Sequence, residues 1–181
     1  MSGFVSRHGA RVAGLLFALF AAACSASNAT PATEASPASG NRPPDFELAA
    51  LNGGRVRLSD HLGKEVVLLD FWATYCEPCL LSMPSLDELY RKERARGFLV
   101  LGISLDEASS AARVRSEVQK LGVTFPILLD QETRVVALYN PRATAPYSVL
   151  IGRDGSVIRR QEGYTPADHD ELERAVDAAL R

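Results

Sequence analysis

Nothing constrains this chain more than the run Leu68-Leu69-Asp70-Phe71-Trp72-Ala73-Thr74-Tyr75-Cys76-Glu77-Pro78-Cys79. Two cysteines stand three positions apart where an apolar, strand-like stretch gives way to a helix-like one. That spacing puts both sulfurs in a first helical turn, close enough to bond each other. A helix N-terminus favours a thiolate on the first sulfur, and the thiolate is the species that attacks a disulfide. The run therefore reads as a redox dithiol set on a strand-to-helix corner.

The same pair is also half a zinc site, and a closed structural zinc site needs four ligands. The chain has 3 cysteines and 3 histidines. Cys24 lies far upstream in a segment of different composition, and His61 and His169 have no second ligand at metal spacing. Ligand count favours redox chemistry over a metal. A purely structural disulfide would close only a tiny loop and stabilise little.

The N-terminal residues read as a targeting segment. Arg7 and Arg11 precede an apolar stretch over residues 12–23, too short to span a bilayer and suited to a secretory signal. Ala21-Ala22-Ala23 directly before Cys24 resembles a bacterial lipoprotein processing site, with Ala21 where a leucine is usual. Lipidation of Cys24 is the expectation; plain signal cleavage with an unmodified Cys24 is the alternative. Residues 25–42, rich in Ala, Ser, Thr and Pro, cannot bury apolar surface and are expected to form a flexible tether. Loss of Arg7 and Arg11 with residues 1–23 takes the net charge from −2 to −4. Without a basic patch, nucleic acid is not an expected partner.

Residues 43–181 are one domain's worth of sequence. Alternation around Phe46 and Leu48, the turn Asn52-Gly53-Gly54, and alternation again at Val56 and Leu58 predict an N-terminal hairpin. Residues 66–72 and 98–103 are near-continuous apolar runs, as strands buried on both faces should be. A helix is expected after the cysteines, kinked at Pro84 and ending before Gly97. A second carries Ala111, Val114, Val118 and Leu121 on one face and closes at Gly122. A third strand is expected over residues 124–129 and a short helix over 132–139. A hairpin follows around Arg153-Asp154-Gly155, and a last helix is capped by Thr165 with Pro166 at its first position. The pattern is α/β, a central mixed sheet covered by helices on both faces.

Over residues 42–181 the chain resembles the thioredoxin-fold TlpA/ResA family of envelope thiol–disulfide oxidoreductases. The resemblance is carried by Phe71-Trp72-Ala73-Thr74-Tyr75-Cys76-Glu77-Pro78-Cys79, by the N-terminal hairpin, and by the inserted strand–helix unit over residues 98–121. Ala145-Pro146 before a strand matches the family's cis-proline loop. Three positions depart from the family pattern. Tyr75 replaces a usual Trp, Asn140-Pro141-Arg142-Ala143-Thr144-Ala145-Pro146 replaces a Gly-Thr-Pro type of loop, and Ser82 stands where ResA-like members carry a glutamate. Asp70, six positions before Cys76, stands where thioredoxin has its buried acid.

The resemblance implies a dithiol cycle without cofactor or metal, with Cys76 as nucleophile and Cys79 as resolving thiol. It also implies substrate contacts at Ala145, Pro146 and Tyr75. Trp72 is a candidate contact too, although an aromatic in that run serves equally as core. Expected partners are disulfide-bearing envelope proteins, apocytochrome c among them, and a membrane thiol transporter as electron donor. The expected location is the periplasmic side of a bacterial envelope.

Asp70 interrupts an apolar strand, and a buried carboxylate is costly without a role or a partner. It would accept the Cys79 proton through a water, or else pair with Lys64. Glu77 either disfavours the Cys76 thiolate, shifting the pair toward a reductant, or is a solvated acid. Two other functions fit the pattern less well. A peroxiredoxin-type peroxidase wants a Thr where Ala73 stands, and a tethered binding module would keep its thiols permanently oxidised.

Overall fold

The computed structural model describes residues 41–181. The expected signal segment (1–23), Cys24 and the tether up to residue 40 lie outside the described residues. One seven-stranded sheet runs through the domain in the order β2-β1-β5-β4-β3-β6-β7. Its strands are β1 (Glu47–Ala50), β2 (Arg55–Arg57), β3 (Val66–Trp72), β4 (Phe98–Ser104), β5 (Ile127–Leu129), β6 (Tyr147–Ile151) and β7 (Val157–Glu162). β3, β4 and β5 are parallel; the two outer pairs and the β1–β5 and β3–β6 junctions are antiparallel. The sheet is mixed, as expected.

β3 and β4 are buried at every position, so their side chains divide by alternation between two cores. Val66, Leu68 and Trp72 point to one face, where they meet Met83, Leu86 and Leu89 of α1 (Glu77–Glu93), Val114 of α2 (Ala111–Leu121) and Val176 of α4 (Pro166–Ala179). Val67, Leu69 and Phe71 point to the other, against Leu58, Phe46 and the Val135, Val136 and Tyr139 face of α3 (Arg134–Tyr139). Each fully buried aliphatic or aromatic side chain contributes about 1.5–3 kcal/mol, so this double-sided strand is the mechanical centre of the molecule. The alternation also decides where Asp70 goes: onto the α1/α4 face, with Leu68 and Trp72 on either side of it in the strand.

The N-terminal hairpin forms as expected. Its turn is closed by Gly53 N–H donating to the Ala50 carbonyl (3.0 Å), with Gly53 and Gly54 at φ 94° and 81°. α2 ends at Gly122, whose φ of 66° gives the left-handed cap. α4 opens with a reciprocal capping box between Thr165 and Asp168 and Pro166 in its first turn. α1 runs unbroken through Pro84, which faces solvent.

β5 is shorter than expected. Thr124 gives both its N–H and its hydroxyl to Asp87 of α1 (2.7 and 2.8 Å), and Pro126 has no N–H to donate, so pairing starts only at Ile127. Gly102 in β4 is required by space. A Cβ there would lie 2.7 Å from Ile127 Cδ1 and 2.9 Å from Phe125 Cε2.

Candidate active site

Cys76 is the N-cap of α1, extended at φ −94° and ψ 92°. Its Sγ accepts the Cys79 N–H at 3.3 Å, and its carbonyl accepts the Leu80 N–H at 3.1 Å. The sulfur thus occupies the place where a capping oxygen usually satisfies a free helical N–H, and the positive end of the helix faces it. Pro78 sits in the first turn, where its missing N–H costs no helical bond. Cys76 and Cys79 are joined in a disulfide. They are unequal: Cys76 is 7% exposed and Cys79 1%.

A cavity of about 40 Å³, large enough for water, lies among β3, α1, β6, β7 and α4. Asp70, Ser82, Pro146, Ser148, Gln161 and Tyr164 are among its lining residues. The Ser82 hydroxyl donates to the Cys79 carbonyl at 2.9 Å, tying the cavity wall to the inner cysteine. The Ala145–Pro146 peptide bond is cis. Its loop is braced by the Asn140 amide donating to the Thr144 carbonyl (2.6 Å) and the Thr144 hydroxyl donating to Asn140 Oδ1 (3.2 Å).

Asp70 opens onto this cavity and is otherwise buried. Loss of hydration pushes its carboxyl up to about 7, and no cation offsets that cost. Lys64, the alternative partner, instead donates to the Asp60 carbonyl at 2.8 Å. Across the sheet Asp70 is in register with Gly102 on one side and Ser148 on the other, neither of which bears a charge.

Tyr75 is 74% exposed and Leu81 69% exposed, so apolar surface flanks the disulfide. Trp72 does not belong to that surface and corrects the expectation that it contacts substrate. It is wholly buried, because both faces of β3 are covered, and its indole edge lies against Gly102. Its Nε1 is unpartnered among the described residues. Among those residues no group of three or more His, Cys, Asp or Glu side chains is placed to hold a metal ion.

Sequence reasoning missed Asp106, just after β4. It is 5% exposed, and its carboxylate accepts from the Thr74 hydroxyl (2.6 Å), the Thr74 N–H (3.0 Å) and the Ser104 hydroxyl (2.9 Å). The available signal was an acid directly after an apolar strand run, the same kind of interruption that drew attention to Asp70.

A capping cysteine disulfide-bonded to its neighbour one turn inward, in a fold whose buried acid and cis-proline line one cavity, defines a thioredoxin-fold thiol–disulfide oxidoreductase. Comparison with known proteins agrees. The AhpC/TSA family model matches residues 39–160. The thiol-disulfide oxidoreductase ResA of Geobacillus kaustophilus is 35% identical over 147 residues, 81% of this chain and 82% of that protein. ResA of Bacillus subtilis is 33% identical, over 68% and 67% of the two chains. Among solved structures, a Chlorobium tepidum protein provisionally described as the thiol:disulfide interchange protein DsbE superposes with a TM-score of 0.72. It is 35% identical and covers 78% of this chain and 96% of its own. The chain belongs to the AhpC/TSA family and, within it, to the thioredoxin-like ResA/TlpA group of thiol–disulfide oxidoreductases.

Proposed function

We propose that this oxidoreductase reduces disulfides of proteins exposed in a bacterial envelope, cycling between the Cys76–Cys79 disulfide and the dithiol. The reading rests on one observation above all: an outer sulfur set at a helix N-terminus and bonded to a more buried inner one, whose carbonyl is held by Ser82 in the wall of a water-sized cavity with an unpaired carboxyl.

In the forward half-cycle the Cys76 thiolate attacks one sulfur of the substrate disulfide and expels the other as thiolate. A mixed disulfide to Cys76 results. The Cys79 thiol then gives its proton to Asp70 through water in the cavity and attacks Cys76 Sγ. The second substrate thiolate leaves, and two electrons have passed to the substrate. The burial suits this order, since Cys79 is the more buried cysteine and its carbonyl is bonded by Ser82 of the cavity wall. Tyr75, Ala145 and Pro146 are the residues we assign to substrate contact, which their exposure permits. Dithiol is restored by an external thiol donor; a membrane thiol transporter is the family expectation, and an apocytochrome c haem-binding pair is one candidate substrate. Residues 1–23 and Cys24 place the domain, on this reading, on the periplasmic side of the envelope with a lipid anchor. No helix among the described residues is long and apolar enough to cross a membrane.

The test is trapping. Cys79→Ser should accumulate mixed disulfides through Cys76 with envelope proteins, and Cys76→Ser should not. Equal trapping by both variants would overturn the assignment of roles. A reduction potential below about −300 mV would point instead to a permanently oxidised module. The AhpC/TSA match makes peroxidase activity the reading to exclude alongside it: consumption of hydrogen peroxide that survives Cys79→Ser would replace the exchange mechanism.

A further inference from the structure

The chain leaves the β3–β4 ladder at Trp72, whose carbonyl accepts the Leu105 N–H at 2.9 Å. It must then turn so that Cys76 arrives as the cap of α1. Only residues 73–75 lie between. Ala73 contributes a single turn bond, its carbonyl accepting the Cys76 N–H at 3.0 Å, and Tyr75 points into solvent. Thr74, the middle residue, is the one held by a side chain from elsewhere. Asp106 grips it twice, one carboxylate oxygen on its hydroxyl and the other on its N–H.

The grip is itself fixed. The Ser104 hydroxyl donates to Asp106 Oδ2 at 2.9 Å while accepting the Asp106 N–H at 3.2 Å, and Ser104 is fully buried. A buried carboxylate meets a large desolvation cost, and charge-assisted bonds such as these offset it. Their effect is to bind the C-terminal end of β4 to the approach to the nucleophile, thirty-two residues away in sequence.

We propose that Asp106 is a positioning residue for the redox reaction: its two-oxygen clamp on Thr74 sets the direction in which Cys76 enters α1, and so its cap geometry and reactivity. This rests on Cys76 being the nucleophile. Without the clamp, Cys76 Sγ loses its fixed place at the helix N-terminus, and the thiolate stabilisation that comes with that place declines. The shape of the clamp, rather than its charge, is what matters. In Asp106→Asn the amide oxygen can replace Oδ2 on the Thr74 N–H and Ser104 hydroxyl, and the amide N–H can donate to Thr74 Oγ1.

The experiment is brief iodoacetamide labelling of the reduced protein across pH, with the labelled cysteine mapped by mass, on wild type, Asp106→Ala, Asp106→Asn and Thr74→Val. Thermal midpoints are recorded for all four. Asp106→Ala should slow Cys76 labelling at neutral pH about fivefold or more and shift its pH midpoint upward, since a cap and its dipole contact are lost. Thr74→Val, which removes only the hydroxyl contact on a partly exposed residue, should shift it in the same direction by about twofold. Asp106→Asn should restore labelling to near the wild-type rate. Unchanged Cys76 labelling in Asp106→Ala or in Thr74→Val, whatever the loss in thermal midpoint, would reduce Asp106 to a purely structural anchor. If Asp106→Ala does not fold, Thr74→Val decides. Equal slowing in Asn and Ala would overturn the shape argument, and faster labelling in both would mean that the lost negative charge acts instead, since a nearby anion disfavours the thiolate. Preferential labelling of Cys79 in the wild type would instead remove the nucleophile assignment itself.

Discussion

Asp70 on β3 and Asp87 on α1 are both buried, to 7% and 2% exposure, and live in different chemical surroundings. Asp87, on α1, accepts the N–H and hydroxyl of Thr124 and is bridged by Arg91 Nε at 3.0 Å. Asp70, on β3, has only the cavity. A carboxylate with three donors holds two elements together. One with none carries an uncompensated burial cost, tolerable where protonation is part of the work. Burial alone therefore does not distinguish the two acids; the presence or absence of partners does.

The sharpest way to break that contrast is kinetic. Asp70→Asn should leave the first attack by Cys76 nearly unchanged and slow resolution by Cys79 about 10²–10⁴-fold, the usual range for a positioned base. Asp87→Asn should change neither step. Stopped-flow measurement of mixed-disulfide formation and decay separates them. If decay is equally fast in Asp70→Asn, the unpartnered acid has no part in the chemistry.

Asp70 was legible in the sequence because a charge inside a seven-residue apolar strand is conspicuous, and the cysteines because their spacing is a mechanism in itself. The hairpin, both long central strands and the capped last helix follow from turn residues and periodicity. The clamps were not legible. Thr74 with Asp106, and Asp87 with Thr124, join residues more than thirty positions apart, and a single sequence holds no record of such pairings. Asp106 looks like an ordinary acid at a strand end until its partners are seen. The truncated β5 has the same origin, because Asp87 draws Thr124 away from the ladder. Trp72 shows a different failure: the apolar run already read as a strand buried on both faces, and that reading, rather than the candidate contact, is what the closed faces of β3 bear out.

A second effect follows from titration. The Asp70 carboxyl ionises near 7 in the folded protein and near 3.8 when unfolded. Between those values the folded state holds a proton that the unfolded state has lost. Ionisation of this group therefore erodes stability as pH rises through that window, by at most about 4 kcal/mol, and the erosion levels off above it. Asp70→Asn lacks the titration. Its stability relative to wild type should rise from pH 5 to about pH 7 and level off by pH 8 in urea unfolding. A difference that shrinks over the same range would mean the carboxylate is stabilised as an anion, like a paired acid, and would erase the contrast with Asp87.

The smallest effect belongs to the paired acid. Asp87→Ala removes three contacts at once, yet Thr124 is exposed and Arg91 is more than half exposed, so the freed donors can turn to water. What remains is the lost tie between α1 and the approach to β5, with a small void beside buried α1 side chains. The expected loss is about 1–2 kcal/mol in chemical denaturation. Exchange kinetics should be unaltered. On these expectations Asp87→Ala lowers stability without touching rate, and Asp70→Asn lowers rate while removing a pH-dependent cost in stability. A rate defect in Asp87→Ala comparable to that of Asp70→Asn would show that α1 cannot loosen without disturbing Cys76, and partnering would cease to distinguish the structural acid from the chemical one.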